Sequence, residues 1–458
     1  MLTTIICSTA LALCASVAGA QSAPGAPPST LPPVRALGQI VRASTPQFGS
    51  VAAVRALSNG NVVVNDITGR RVVLFDSTLA NATLVADSTS ATAMAYSARV
   101  GGLIAYRGDS TLFVDPSSLS MLVIDPAGKV GRVMSVPKSQ DATFLIGGPF
   151  GWPGFDAQGR LVYRTMIRPR PGRSPDGSFV PPTPVDSAPI IRFDLDARRA
   201  DTLAYIKVTA PKMNVAQSEG RVSITTIVNP LPINDDWALL SDGRVAIVRG
   251  REYRVDWLSP DGAVTKGPTI PFEWQKLSDA DKEAIIDSSR KVMDAQRALM
   301  MRTVVANGAG NVTTTVPGGA GGSPSGGGAT FTIRTEDIGG PPRAGAGPPG
   351  GPGGPGNQTL QLPPLNFVSP SELPDYRPAF LLSGGSARGD ADGNLWIRTT
   401  QVAIGGPVYD VIDGKGQLID RVVLPPGRTI AGFGRGGIVF LAVRDGTTGV
   451  RLEKARLR

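Results

Sequence analysis

The stretch Trp237–Thr265, WALLSDGRVAIVRGREYRVDWLSPDGAVT, decides the fold. It holds three apolar runs, Trp237–Leu240, Val245–Val248 and Tyr253–Leu258, and a fourth begins at Ala263. The joins are Ser241-Asp242-Gly243, Gly250-Arg251 and Ser259-Pro260-Asp261-Gly262. These are mostly residues that tolerate the dihedrals of tight turns. The pattern predicts a four-stranded antiparallel meander.

Weaker copies of this unit recur on both sides. The first covers Val51–Val85, with runs at Val51–Val54, Val62–Val64, Val72–Phe75 and Ala82–Val85. The second covers Ala93–Val136, with Leu112–Val114, Met121–Ile124 and Val130–Met134. The third runs from Phe155 through Leu161–Tyr163 and Ile190–Phe193 to Thr202–Ile206. The opening stretch is the fourth. A fifth leads from Pro378–Leu382 through Leu395–Ile397 and Val408–Ile412 to Leu418–Leu424. The sixth comprises Ile430, Ile438–Val443 and Val450–Leu457. A shared marker ties them together, an apolar residue followed by Asp or Ser at the end of a strand. It stands at Phe75-Asp76, Ile124-Asp125, Phe193-Asp194, Leu258-Ser259 and Ile412-Asp413. Such a side chain can cap the turn by accepting from backbone amides two residues on.

Four-stranded units of about forty residues, repeated radially, predict an all-β fold, a six-bladed β-propeller, with seven blades the alternative count. The sixth unit lacks a fourth strand, and Leu37–Val41 is a lone strand at the other end. Pairing the two would close the circle and cover both edges.

The first residues, Met1–Ala20, read as an export signal: an apolar run from Ile5 to Val17, too short to span comfortably, then Ala18-Gly19-Ala20. No Lys or Arg precedes the run. Cys14 raises lipidation, but Leu13 stands where a lipoprotein signal wants a small residue. Both cysteines of the chain, Cys7 and Cys14, lie in this segment, so the mature chain would have no disulfide. Residues 21–36 read as a Pro-rich tether, and the propeller fills 37–458. The chain has no histidine. That removes Ser-His-Asp and Cys-His catalysis, a His base and His-ligated zinc. The net charge of +9 is dispersed in short clusters such as Arg168–Arg173 and Arg451–Arg458, which read as solvated positive faces. No nucleic-acid reader is visible.

Two insertions interrupt the propeller. Residues 168–187, rich in Pro and Arg, read as a surface loop. Residues 273–366 are composite. A helix is expected over about 278–303, with Ser278 as N-cap, Asp281 three residues on, and Ile285, Val292, Met293, Leu299 and Met300 near one face. Low-complexity Gly/Pro sequence over about 307–358 is expected to stay disordered.

On its blade motifs the chain resembles the extracytoplasmic six-bladed β-propellers of bacteria, the NHL-repeat and TolB-like group. The motifs are Ser241–Ile247 with Tyr253–Trp257, and Asp390–Ile397 with Val408–Asp413. The resemblance implies a mostly non-catalytic binding scaffold, with lactonases and lyases among the relatives; the lyase-type metal sites depend on histidine.

No catalytic, cofactor-binding or metal-ligating residue is assigned. Asp390, Asp392 and Asn394 resemble the opening of a calcium loop, but the twelfth position is Gln401, and an Asp-Gly turn is the simpler reading. Gly432–Gly437 matches the dinucleotide glycine spacing, yet leads into strand-like Ile438–Leu441 rather than a helix. Asp235 and Asp236 are a formal acid–base pair. Trp237, Trp257 and Trp396 read as packing residues; Trp152, in Gly151–Gly154, is a loop tryptophan that could contact a ligand. The expectation is an exported monomeric module, periplasmic or extracellular, binding an envelope protein, peptide or glycan without a cofactor. The alternative is a carboxylate- or metal-dependent, lactonase-like hydrolase or lyase in the channel.

Overall fold

The computed structural model describes residues 31–45, 47–97, 100–175, 179–218, 221–306, 312–316, 329–333, 365–381, 385–446 and 449–457. The signal-like segment lies outside them. Among the described residues the strands form six sheets of four or more strands. Sheet one is Ala53–Ala56, Val62–Asp66, Arg71–Phe75 and Ala82–Asp87. Sheet two is Gly102–Ala105, Thr111–Asp115, Ser120–Ile124 and Val130–Ser135. Sheet three is Gly154–Phe155, Leu161–Arg164, Ser187–Asp194 and Arg199–Lys207. The stretch that began the reading forms sheet four, Asp236–Leu239, Val245–Arg249, Arg254–Leu258 and Val264–Thr269. Sheet five is Ala387–Gly389, Leu395–Ala403, Gly406–Ile412 and Leu418–Val423. Sheet six is Arg428–Gly434, Ile438–Asp445 and Gly449–Arg456, completed by Ile40–Ala43 from the start of the chain.

The sheets pack face to face. In their second strands Val62–Asp66, Thr111–Asp115 and Leu161–Arg164 every residue is buried, whereas the last strands of sheets two and four are largely exposed. Burial on both faces explains unbroken apolar runs such as Val62-Val63-Val64 where a one-sided sheet would alternate. Each pair of neighbours shares an apolar cluster. Val63, Val72 and Leu74 meet Phe113 and Leu122 between sheets one and two. Leu112 and Val114 meet Leu161 and Tyr163, and Val162 and Ile190 meet Trp237 and Ile247. Val248 and Tyr253 meet Leu395 and Ile397, and Trp396 and Val411 meet Val439 and Leu441. The circle closes where Val62 and Phe75 meet Phe440 and Leu452. Radial meanders closed by a strand from the opposite terminus make this a β-propeller.

Several details differ from the sequence reading. The closing strand is Ile40–Ala43, overlapping the expected Leu37–Val41 at Ile40 and Val41 and pairing antiparallel with Glu453–Ala455. Val34–Ala36, placed in the tether, pairs in parallel with Arg421–Val423 at the edge of sheet five. Sheet five begins at Ala387, not at Pro378–Leu382; Ala379 and Phe380 are buried between sheets four and five without forming a strand. Their apolar character reflects packing rather than pairing. A hairpin, Lys212–Ser218 with Arg221–Val228, fills the span between Ile206 and Trp237, where no strand was expected.

The helix runs Asp279–Ala306. Ser278 and Asp281 form a reciprocal capping box: the Asp281 amide donates to Ser278 Oγ at 3.2 Å and the Ser278 amide to Asp281 Oδ2 at 2.9 Å. Its buried residues include Lys282, which pairs with Asp375 at 2.9 Å, and Ile285, Ile286, Ser289 and Met293; Val292 and Leu299 are exposed. The buried apolar residues rest on Val228, Leu231, Leu365, Val368 and Leu373. Met300 falls outside the described side chains. Of the low-complexity segment, Val312–Val316 and Ala329–Ile333 are described, paired antiparallel; the rest lies outside the described residues. No helix among the described residues is long and apolar enough to cross a membrane.

Candidate functional site at the mouth of the propeller

In a meander the first-to-second and third-to-fourth connections lie at one end, the second-to-third and sheet-to-sheet connections at the other. Neighbouring sheets run the same way. Their first turns touch in sequence: Ser58 Oγ donates to Asp109 at 2.6 Å, Gly159 lies against Arg107, Gly243 against Ala157, and Gly393 against Ser241. The Gly436 and Gly437 amides then donate to Asp392 at 2.9 and 2.7 Å. All the long connections therefore emerge at the opposite end: residues 165–186, the 212–228 hairpin, and the helix with its flanks. Loops carried on a rigid scaffold are where binding residues collect.

At that end, sheets three, four and five bring together Phe150, Trp152, Arg164, Asp236, Gly385 and Arg388. Arg164 ends the second strand of sheet three. Continuing the Gly154–Val162 register by two residues sets Trp152 opposite it. Arg164 is only 6% exposed. Its guanidinium lies 5.6 Å from the Phe150 ring centroid, and its Nε is buried without a hydrogen-bond partner. Burial lowers its pKa, and the charge of Asp236 opposes that shift. A buried cation without a full set of partners costs several kcal/mol, so a site of this kind is poised for a negative charge.

Asp236 opens the inner strand of sheet four. Its Oδ1 accepts from the Trp237 amide and its Oδ2 from the Ala387 amide, both at 2.9 Å. It thereby ties sheet four to the start of sheet five. Burial pushes its carboxyl up to about 6, against the pull of those two amides and of Arg164. Trp152 stacks on Arg388 with the guanidinium carbon 3.9 Å from a ring centroid. Arg388 donates to the Ile430 and Ala431 carbonyls at 2.8 and 3.3 Å, and burial draws its pKa down to about 10. The Trp152 Nε1 is a second buried donor without a partner. It faces Gly385, whose φ is +78° and where a Cβ would fall 2.6 Å from the Gly148 carbonyl oxygen and 3.0 Å from Nε1. Glycine is needed there on both counts.

The structure gives the formal pair Asp235 and Asp236 separate partners. Asp235 accepts from Arg249 Nη1 at 2.7 Å and from the Lys207 and Gly250 amides at 3.0 and 3.1 Å. Asp235 stands just before that strand, and Arg249 holds its carboxylate while the Trp237 and Ala387 amides hold that of Asp236. Asp390 spends its carboxylate inside the turn, on the Asp392 and Asn394 amides, Asn394 Nδ2 and Trp396 Nε1, at 2.8–3.0 Å. Gly432 and Gly434 lie in a strand paired with Ile438–Asp445. Trp237, Trp257 and Trp396 are buried in the inter-sheet clusters. Trp152 alone of the four tryptophans singled out reaches the mouth. Sequence reading missed Arg164 and Arg388. Nothing in the sequence marked them, since arginines such as Arg55, Arg192 and Arg249 stand in strands throughout the chain. Among the described residues no group of three or more His, Cys, Asp or Glu is placed to hold a metal ion.

No family model matches the chain, and no curated protein matches it. Solved structures similar in outline include a gluconolactonase of Xanthomonas campestris, at 10% identity and TM-score 0.38, covering 93% of this chain and 97% of that one. Virginiamycin B lyase of Staphylococcus aureus is 10% identical at TM-score 0.36, covering 92% and 99%. The calcium-binding protein regucalcin of Agrobacterium tumefaciens is 12% identical at TM-score 0.35, covering 93% and 98%. Likeness at this level assigns no activity, and the chain is a β-propeller on the strength of its own sheets.

Proposed function

We propose that the chain is an exported six-bladed propeller that binds a small organic anion at the mouth formed by sheets three, four and five. One observation carries this reading: the Arg164 guanidinium is buried, and its Nε has no hydrogen-bond partner. The unpartnered Trp152 Nε1 adds a second donor. A charge-assisted hydrogen bond to a carboxylate would satisfy Arg164. The six sheets are taken as six blades, and export rests on the signal-like Met1–Ala20. An acidic peptide side chain or a carboxylate-bearing glycan of the envelope presents the required group. Fluorescence titration with acetate, benzoate and a uronic acid tests this, with Trp152 as reporter. Saturable quenching that weakens at least tenfold in Arg164→Gln is expected; identical curves for both proteins would contradict it.

A second reading, a lactonase-like hydrolase or a lyase, is favoured by the Asp236 carboxyl. With a proton affinity near 6, beside a buried arginine, it could exchange a proton close to neutral pH. Its complete burial sets it behind the mouth rather than in it. Two of the three similar structures named above are described as enzymes, which accords with this reading without lending it residues. Lactone and ester turnover that disappears in Asp236→Asn, while anion binding persists, would establish it over the binding reading.

A further inference from the structure

A pocket of about 640 Å³ opens on the same end of the molecule beside sheet five. It lies between the segment leaving sheet four, with Phe272, Glu273 and Gln275, the segment leading into sheet five, with Arg377, and the stretch Thr400–Ala403. Arg421 and Val408 line it from the sheet. The volume falls within the range of small-molecule sites.

Its charges are arranged in series. Arg421 is 6% exposed and donates to the Gln401 side-chain oxygen. The same amide's nitrogen donates to Glu273 Oε2 at 3.4 Å. Gln401 thus spaces a guanidinium from a carboxylate along one wall. Arg377 stands on the other side of Gln275, to whose Oε1 its Nε donates at 2.8 Å. Behind the wall, Arg421 Nε forms an ion pair with Asp410 Oδ1 at 3.6 Å, longer than a hydrogen bond. That oxygen is buried without a hydrogen bond, while Oδ2 accepts from the Tyr253 hydroxyl at 2.6 Å. Arg421 is therefore held near Asp410 without being locked in the two-pronged pair that arginine forms with a committed carboxylate.

We propose that this pocket binds a small zwitterion, a molecule bearing one carboxylate for Arg421 and one ammonium for Glu273, with an apolar remainder against Phe272, Val402 and Val408. A simple anion would meet Glu273 and a simple cation would meet two guanidiniums; a zwitterion satisfies both ends. Calorimetric titration of the full chain with leucine, N-acetylleucine and leucinamide tests it. Leucine is expected to bind saturably, and each derivative, lacking one charge, at least tenfold more weakly. Glu273→Gln, an exposed change that leaves the fold intact, is expected to lower leucine affinity about tenfold and to strengthen N-acetylleucine, whose carboxylate no longer meets a like charge. Arg421→Gln is expected to abolish leucine binding. Absence of leucine binding to the unaltered chain, or equal affinity for all three compounds, would overturn the proposal. The titrations are repeated in Arg164→Gln, which removes the anion site at the mouth; saturable leucine binding that persists there belongs to the pocket, so the two sites fail or stand separately.

Discussion

The two ends of the propeller are built on the same strands but differ in what joins them, short turns at one and long connections at the other. At the turn end carboxylates are consumed by the backbone. Asp76, Asp125, Asp194 and Asp413 each accept from the amide two residues on, at 2.9–3.1 Å. Asp390 saturates its carboxylate within one turn. At the insertion end long connections replace turns and surround Arg164 Nε, Trp152 Nε1 and Asp410 Oδ1, each buried without a hydrogen bond; Arg55 Nε, Thr111 Oγ1 and Trp257 Nε1 are in the same state at the turn end, where only short turns adjoin them. Satisfied polar groups stabilise a fold, and buried unsatisfied ones cost free energy that a ligand can recover. The short turns specify the blade, and the long connections of the other end supply the loops on which a site is built.

The largest effect that would sharpen this contrast is expected from Asp390→Ala. It removes four hydrogen bonds, one to the buried Trp396 indole. Urea unfolding should show a loss of about 2–4 kcal/mol, with affinity at the mouth unchanged. A parallel fall in affinity would mean that the two ends are not separable.

Next in size is a pH effect at the insertion end. Asp236 and Asp410 are both pushed up to about 6 by burial, from an ordinary value of 3.8. Between those values the folded chain holds more protons than the unfolded one, so stability falls as pH rises from about 4 to 6 and then levels. The carboxylates held low, such as Asp256 by Arg254 and Arg249, act below that window. Thermal melts at pH 4.5 and 7 should differ, and Asp236→Asn should remove a share of the difference on the order of 1–3 kcal/mol. A slope unchanged in the variant would show that Asp236 is not the titrating group.

Trp152→Phe keeps an aromatic surface for Arg388 and deletes a donor that has no partner. Stability should stay within about 1 kcal/mol, while calorimetric affinity for the anion should fall roughly fivefold. The smallest effect belongs to the turn end, at Asp261→Ala. That exposed side chain makes one turn bond, to the Ala263 amide at 3.0 Å, and its loss should cost within about 0.5 kcal/mol with binding untouched.

The turn end was legible in the sequence because its information is local. An apolar run followed by Asp, then Gly, fixes a strand end and a turn without reference to any other sheet. Asp242 and Asp261, which might pass for functional acids, are read correctly as turn residues on that basis, and each accepts from the amide two residues on. Sheet five's first strand was misread because Ala379 and Phe380 are apolar for packing between sheets, which one-dimensional pattern cannot distinguish from pairing. The 212–228 hairpin escaped for a related reason, since Lys212–Ser218 is polar and alternates weakly. Of the mouth only Trp152 was legible. Arg164 and Asp236 lie far apart in the chain and come together only because sheets three and four are neighbours. Whether a buried arginine has a partner is a three-dimensional property. Trp152 gave the one local hint, a tryptophan flanked by glycines.

The most direct test is a crystallographic difference map from crystals of the full chain soaked with the anion that titrates most tightly. Density for its carboxylate within hydrogen-bond distance of Arg164 Nε and Trp152 Nε1, absent in Arg164→Gln crystals, is the predicted result. Density at the Asp-capped turns instead, or a mouth left unchanged at saturating anion, would contradict the assignment of binding to the insertion end.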